Sequence, residues 1–207
     1  MNRRPIIDVG PALNFLASNQ TRLLIGVLGR ISTPETVQKE VLRKASVEVK
    51  FKAVVNEWSK LTPKWLEVLD DDWTALESVG SRLARMPLSE RRKRAADLGE
   101  LMVLAHALVA AEEGRDVTVI IDERAGAAMA TAEARNLHRR RAAGKTVGRL
   151  FVVNTVTILE KAAHKGLVDG KSEMRSRYAR LRELDDGLVP IESTPLLSRD
   201  LWVPQPS

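Results

Sequence analysis

Residues 117–121, Val-Thr-Val-Ile-Ile, are five consecutive β-branched side chains, and an acid, Asp122, follows them at once. β-Branched side chains have few rotamers and pack well on a pleated surface, so the run reads as a strand. Further strand-like segments occur at residues 5–8 (Pro-Ile-Ile-Asp), 31–32, 65–69 and 149–153. Between them lie helical patterns at about 10–18, 23–28, 33–45, 47–60, 72–85, 98–113 and 124–136, with two more at 155–165 and 171–184. Strands alternating with helices predict an α/β fold: a three-layer α/β/α sandwich around a mostly parallel central sheet buried on both faces.

Local signals place the boundaries. Thr33 reads as an N-cap with Pro34 at the first helical position. Pro63 interrupts the second helical stretch, and Gly114 ends the helix that starts near residue 98. Leu88 to Arg94 is polar and basic, and the basic stretch His138 to Lys145 reads as a loop. The proline-rich end, 191–207, reads as an irregular tail.

Several classes of function are excluded early. There is no cysteine, so disulfides, zinc–thiolate sites and cysteine nucleophiles are ruled out. The three histidines, His106, His138 and His164, have no ligand spacing, and His106 reads as a packing residue. No Gly-x-Gly-x-x-Gly follows the first strand, which disfavours a Rossmann-type nucleotide site. No apolar run reaches the roughly 20 residues that span a bilayer. Nor do the residues around Met1–Asp8 contain the apolar stretch of a signal peptide, so a cytoplasmic protein that does not engage membranes is expected. The formal net charge is +6, from 33 Lys and Arg against 27 Asp and Glu, which suits a polyanionic partner.

The acids carry the chemistry. Asp8 and Asp122 each close a strand, and the carboxyl ends of parallel strands border the ligand crevice of an open sheet. Glu40 sits beside Val37 and Val41 on a helix, where it either turns inward or pairs with Lys44 at i,i+4. Glu100 follows Asp97 by three residues, the spacing of a capping box, yet shares its face with Val103, Leu104 and Ala107. A carboxylate on an apolar stripe needs a partner or a metal to stay charged. Two acids 4 Å apart repel by about 4 kcal/mol at an effective dielectric near 20, so a gathered cluster calls for a divalent ion.

In that order, four stretches resemble the PIN-domain family. They are Ile6-Ile7-Asp8 through Leu16; Ile31 through Val41, containing Val37-x-x-Glu40-Val41; Asp97-Leu98-Gly99-Glu100 with Leu104-Ala105; and Val119-Ile120-Ile121-Asp122-Glu123-Arg124 before an alanine-rich helix. Val152 to Leu159, then Ala162 and Gly166-Leu167-Val168, is similar to the family's last strand and helix. Members have Ser, Thr or Asn soon after the first Asp; here Val9 and Gly10 stand there, with Asn14 further on.

The resemblance implies a nuclease domain over 1–190, with 46–96 as an extended helical insertion. It implies an Mg²⁺- or Mn²⁺-dependent endoribonuclease with Asp8, Glu40, Glu100 and Asp122 as catalytic, metal-binding acids and Glu123 as a fifth ligand. Many such proteins are toxins neutralised by a small antitoxin, and many form homodimers. Arg91, Arg92, Lys93, Arg94, Arg139, Arg140, Arg141 and Lys145 are the expected phosphate contacts on RNA. The tryptophans Trp58, Trp65, Trp73 and Trp202 read as core or strap residues rather than base-stacking platforms. The competing readings are a non-catalytic module of the same fold that binds nucleic acid or protein, and a DNA nuclease of the flap type.

Overall fold

A computed structural model of the chain describes residues 4–94 and 96–202. Five strands form one sheet: β1 (Ile6–Ile7), β2 (Ile31–Pro34), β3 (Leu66–Leu69), β4 (Val117–Ile120) and β5 (Leu150–Val153). Their order is β3-β2-β1-β4-β5 and every pairing is parallel. Helices surround this sheet in the expected α/β/α arrangement. They are α1 (Val9–Ala17), α2 (Thr21–Leu28), α3 (Glu35–Val47), α4 (Val54–Leu61), α5 (Trp73–Ala84), α6 (Leu88–Arg91), α7 (Leu98–Glu112), α8 (Arg124–Ala142), α9 (Thr155–His164) and α10 (Lys171–Arg182).

The strand order reverses direction at β1. The chain steps outward from β1 to β2 to β3, then crosses back to place β4 on the other side of β1 and β5 beyond it. A crevice opens at such a switch point, outside the carboxyl ends of the two strands that flank it. Those strands are β1 and β4. Ile6 and Ile7 pair with Val119 and Ile120, and the Asp8 amide still donates to the Ile120 carbonyl at 3.1 Å. Asp8 and Asp122 therefore leave neighbouring strands, about 4.8 Å apart, at the same end of the sheet.

Helix α7 forms the packed wall behind this crevice. Nearly all its side chains are apolar, so it has no solvent face and lies buried across β1, β2, β4 and β5. Leu104, Leu108 and Met102 are fully buried there, as are Ile6, Ile7, Ile31, Val119 and Ile120 in the strands beneath. Each such side chain contributes about 1.5–3 kcal/mol by leaving water. The polar exceptions on α7 that are buried are Glu100 and His106.

Several boundaries differ from the sequence reading. Thr33 does not cap α3. It remains in β2, where its hydroxyl donates to the Ile7 carbonyl at 3.0 Å, and Pro34 ends the strand. The start of α3 is instead satisfied from a distance: Asp71 accepts from the Thr36 amide (2.7 Å) and hydroxyl (2.5 Å). The basic stretch 138–145 is mostly not a loop. α8 runs on to Ala142, because a segment rich in alanine and arginine has no helix breaker before Gly144. The segment 46–96 supplies β3, an edge strand of the sheet, as well as helices.

The tail from Pro190 to Trp202 is a packed strap of single 3₁₀ turns. Leu196 is fully buried, Tyr178 Oη donates to the Val189 carbonyl at 2.8 Å, and Trp202 Nε1 donates to the Leu196 carbonyl at 2.9 Å. Pro204 and Pro206 lie outside the described residues. Trp58 is a core residue, whereas Trp73 packs at the core's edge beneath Arg92 (5.8 Å) and Trp65 stays 37% exposed. Among the described residues no helix is long and apolar enough to cross a membrane.

Candidate functional site

The crevice is a cleft of about 740 Å³. Asp8, Glu40, Glu100, Asp122 and Glu123 all line it, so acids from β1, α3, α7 and β4 converge as the sequence reading expects. Asp97, Asp185 and Asp186 line it too, and the cations Lys44 and Arg124 stand among them.

Asp8 occupies the N-cap position of α1 but makes no capping hydrogen bond. Its Oδ1 is buried and has no hydrogen-bond partner among the described residues. Burial pushes the Asp8 carboxyl up to about 7, with Glu40, Asp122 and Glu123 adding repulsion and the Val9 amide pulling the other way. Glu100 behaves similarly. The capping box does not form: Asp97 adopts a left-handed conformation (φ 54°) and its side chain caps nothing. The αL region is tolerated by aspartate better than by most residues. Glu100 is left free to point from a buried helix into the cleft, and burial, then Asp8, Glu123 and Asp97, push it up to about 7.

Asp122 has a second duty. Its Oδ1 accepts the Thr155 amide (2.7 Å) and its Oδ2 the Thr155 hydroxyl (2.6 Å), which ties the end of β4 to the start of α9. Burial raises its pKa, the Thr155 bonds oppose that rise, and Asp185 adds to it. Each oxygen keeps a lone pair for another partner. Glu40 forms the i,i+4 ion pair with Lys44 at 3.1 Å while it faces the cleft, so both expectations for it hold geometrically. Glu123 is exposed at the start of α8 and makes no capping bond.

Two glycines let these acids approach. A β-carbon at Gly99 would meet Glu40 Oε2 at 3.3 Å, and one at Gly126 would overlap the Glu100 carboxyl group. Among the described residues no three His, Cys, Asp or Glu side chains converge closely enough to hold an ion by direct contact alone. Mg²⁺ is commonly held through one or two carboxylates with several waters retained. The orphaned Asp8 oxygen and its acidic surroundings fit that manner of binding.

The basic clusters fall in different places. Arg91 to Arg94 end three residues before Asp97 but do not line the cleft; Arg91 donates to the Arg94 and Ala96 carbonyls, Lys93 pairs with Glu90 and Arg92 lies over Trp73. Arg139, Arg140 and Arg141 lie in the last turn of α8, whose first turn borders the cleft. At 1.5 Å per residue they are about 24 Å from it. Arg140 is paired with Glu112 at 2.7 Å, and Arg141 lines a small separate hollow with His138, Arg149 and Phe151. Lys145 follows the end of that helix and is exposed.

Sequence reasoning missed three acids. Asp185 and Asp186 lie just past the helix expected over 171–184, in a stretch to which the sequence reading gives no role; α10 itself stops at Arg182. The run Asp185-Asp186-Gly187 is a turn signal that marks the loop but not its destination. Asp71 was also unrecognised. It is buried against His106, with Asp71 Oδ1 2.9 Å from His106 Nε2, so His106 belongs to a structural pair beyond the cleft. Burial alone would raise the Asp71 pKa, but His106 and Thr36 hold it below the usual range.

The chain matches no protein-family model, no curated protein and no solved structure.

Proposed function

We propose that this chain is a PIN-like endoribonuclease that uses Mg²⁺ or Mn²⁺ to hydrolyse RNA phosphodiesters in the β1/β4 cleft. The observation that carries the reading is Asp8 Oδ1, a buried carboxylate oxygen without a partner among further acids. Leaving such a group unsatisfied costs about 1–3 kcal/mol, more when charged, which a bound cation removes.

Asp8 and Glu100 would hold the ion, with Asp122, Glu40 and Glu123 supplying further negative charge around it. A bound divalent cation supplies a water of lowered pKa and offsets charge on the phosphoryl oxygens. Burial raises both carboxyls to about 7, and a cation held by them would favour their ionised forms. Lys44 and Arg124, which line the cleft, suit the phosphates on either side of the scissile bond. Thr155 keeps Asp122 in one orientation. The same resemblance extends the proposal to a toxin paired with a small antitoxin, acting as a homodimer.

The test is to incubate the purified chain with mixed RNA and single-stranded DNA, with Mn²⁺, with Mg²⁺ or with chelator. Metal-dependent RNA cleavage, lost in Asp8→Asn and in Asp122→Asn, is expected. Cleavage that survives in both variants overturns the reading. RNA that is retarded but intact under every condition points instead to the non-catalytic binding module, which the Glu40–Lys44 pairing would suit.

A further inference from the structure

The loop after α10 carries a carboxylate into the cleft that is held more firmly than most of the acids around it. Asp185 Oδ2 accepts from Asn14 Nδ2 at 2.7 Å, across 171 residues of sequence, and its Oδ1 accepts from the Gly187 amide at 2.9 Å. Asn14 is buried in α1 nearly two turns beyond Asp8, so the donor is itself fixed. The loop is pinned from outside as well: Lys50 Nζ donates to the Leu184 carbonyl (2.9 Å) and Arg182 Nε to the Leu188 carbonyl (3.1 Å). Asp186, one residue on, is exposed and makes no hydrogen bond among those described.

We propose that Asp185, oriented by Asn14, is a positioning residue of the cation site that holds water bound to the ion, making the C-terminal loop the site's outer wall. This rests on the metal-nuclease reading above. Beside the acidic cluster stands a second observation: Asp8, which lines the same cleft, has a buried Oδ1 with no hydrogen-bond partner among the described residues. Direct contacts from three protein carboxylates are absent among the described residues, so an ion here keeps much of its water, and that water needs acceptors. Asp185 has a free lone pair on each oxygen after its two bonds, and it lines the same cleft as Asp8 and Asp122. Partners that orient ligands from behind typically change metal affinity 10–100-fold when removed.

The experiment titrates the full chain with Mn²⁺ at pH 8, following free Mn²⁺ by electron paramagnetic resonance, and records the melting temperature separately in chelator. Asp185→Asn is expected to weaken Mn²⁺ binding by roughly 10-fold or more. Asn14→Ala, which leaves the Asp185 charge and removes its orienting donor, should weaken it in the same direction. Asp186→Asn should stay within about threefold of wild type, and the melting temperatures in chelator of Asp185→Asn and Asp186→Asn should agree within a few degrees. Wild-type affinity in Asp185→Asn overturns the inference, as does an equal loss in Asp186→Asn, which would assign the effect to charge at a distance. A wild-type chain that takes up no Mn²⁺ sinks the nuclease reading as well, so the two failures are told apart.

Discussion

Gly126, in the first turn of α8, lies directly against the Glu100 carboxyl group: a β-carbon at position 126 would come within 2.7 Å of Glu100 Cγ and nearer still to Cδ and Oε1. The helix that begins after β4 thus approaches α7 at a point where one side chain must be missing. The side chain admitted by that gap is a candidate cation ligand. Gly126→Ala should therefore separate site from fold. Alanine gains about 0.8–1 kcal/mol of helix propensity over glycine. The displaced Glu100 end returns a cost of about 1–3 kcal/mol. The melting temperature should move by only a few degrees, while Mn²⁺ affinity falls at least tenfold. Unchanged affinity in a folded Gly126→Ala protein would remove Glu100 from the site.

The pH dependence of stability follows from Asp8 and Glu100. Both titrate near 7 in the folded chain, against 3.8 and 4.5 for the ordinary groups. Between those values the folded state binds more protons than the unfolded state, so stability declines as pH rises. Their contribution is complete below about 4 and is lost through about 7. In chelator, the melting temperature should fall between pH 5 and pH 8, and Asp8→Asn should flatten the fall. Saturating Mn²⁺ should raise the melting temperature more at pH 8 than at pH 6, because protons no longer compete. A chelated wild type as stable at pH 8 as at pH 5 contradicts the burial of these carboxyls.

Lys44 gives a prediction of opposite sign for ion and polyanion. Its pair with Glu40 is partly exposed and worth about 0.3–0.5 kcal/mol, so Lys44→Met should hardly alter stability. Removing a cation from an acidic cleft should tighten Mn²⁺ binding a few-fold while weakening RNA retention in a filter-binding assay. Both affinities falling together would show that Lys44 acts by supporting Glu40 rather than by its own charge.

Asp71 is expected to matter for folding alone. It accepts the Thr36 amide and hydroxyl and faces His106, in a setting where its side chain is 2% exposed. Asp71→Ala strands those partners and should cost about 2–4 kcal/mol, read as a lower urea midpoint. Its depressed pKa gives stability that is present above the ordinary carboxylate value and lost as pH falls below that value through the depressed folded one. Mn²⁺ affinity measured on the folded fraction should be unchanged; a parallel loss would tie the His106 pair to the cleft.

The strands were legible because burial on both faces writes itself into consecutive residues. Val117–Ile121 is β-branched throughout with only Thr118 polar, and Ile6-Ile7 is apolar, and that suffices to predict a parallel sheet with acids at its carboxyl ends. Glu100 was legible for a related reason: a helix apolar on every side leaves its one early acid nowhere to go but an interior cleft. The capping-box pattern at Asp97 pointed the other way, and local spacing lost to tertiary position.

What the sequence determined by itself was therefore the layered α/β class, the run of helices and strands, and the candidacy of Asp8, Glu40, Glu100, Asp122 and Glu123. Only the tertiary structure decided which groups share the cleft. It brought Asp185 to Asn14, Asp71 to His106 and Gly126 to Glu100, and it carried Arg139, Arg140 and Arg141 away along α8. The physical reason is range. Periodicity and caps report forces among residues within about a turn of one another, whereas hydrogen bonds and repulsions between acids depend on distances that the strand order sets.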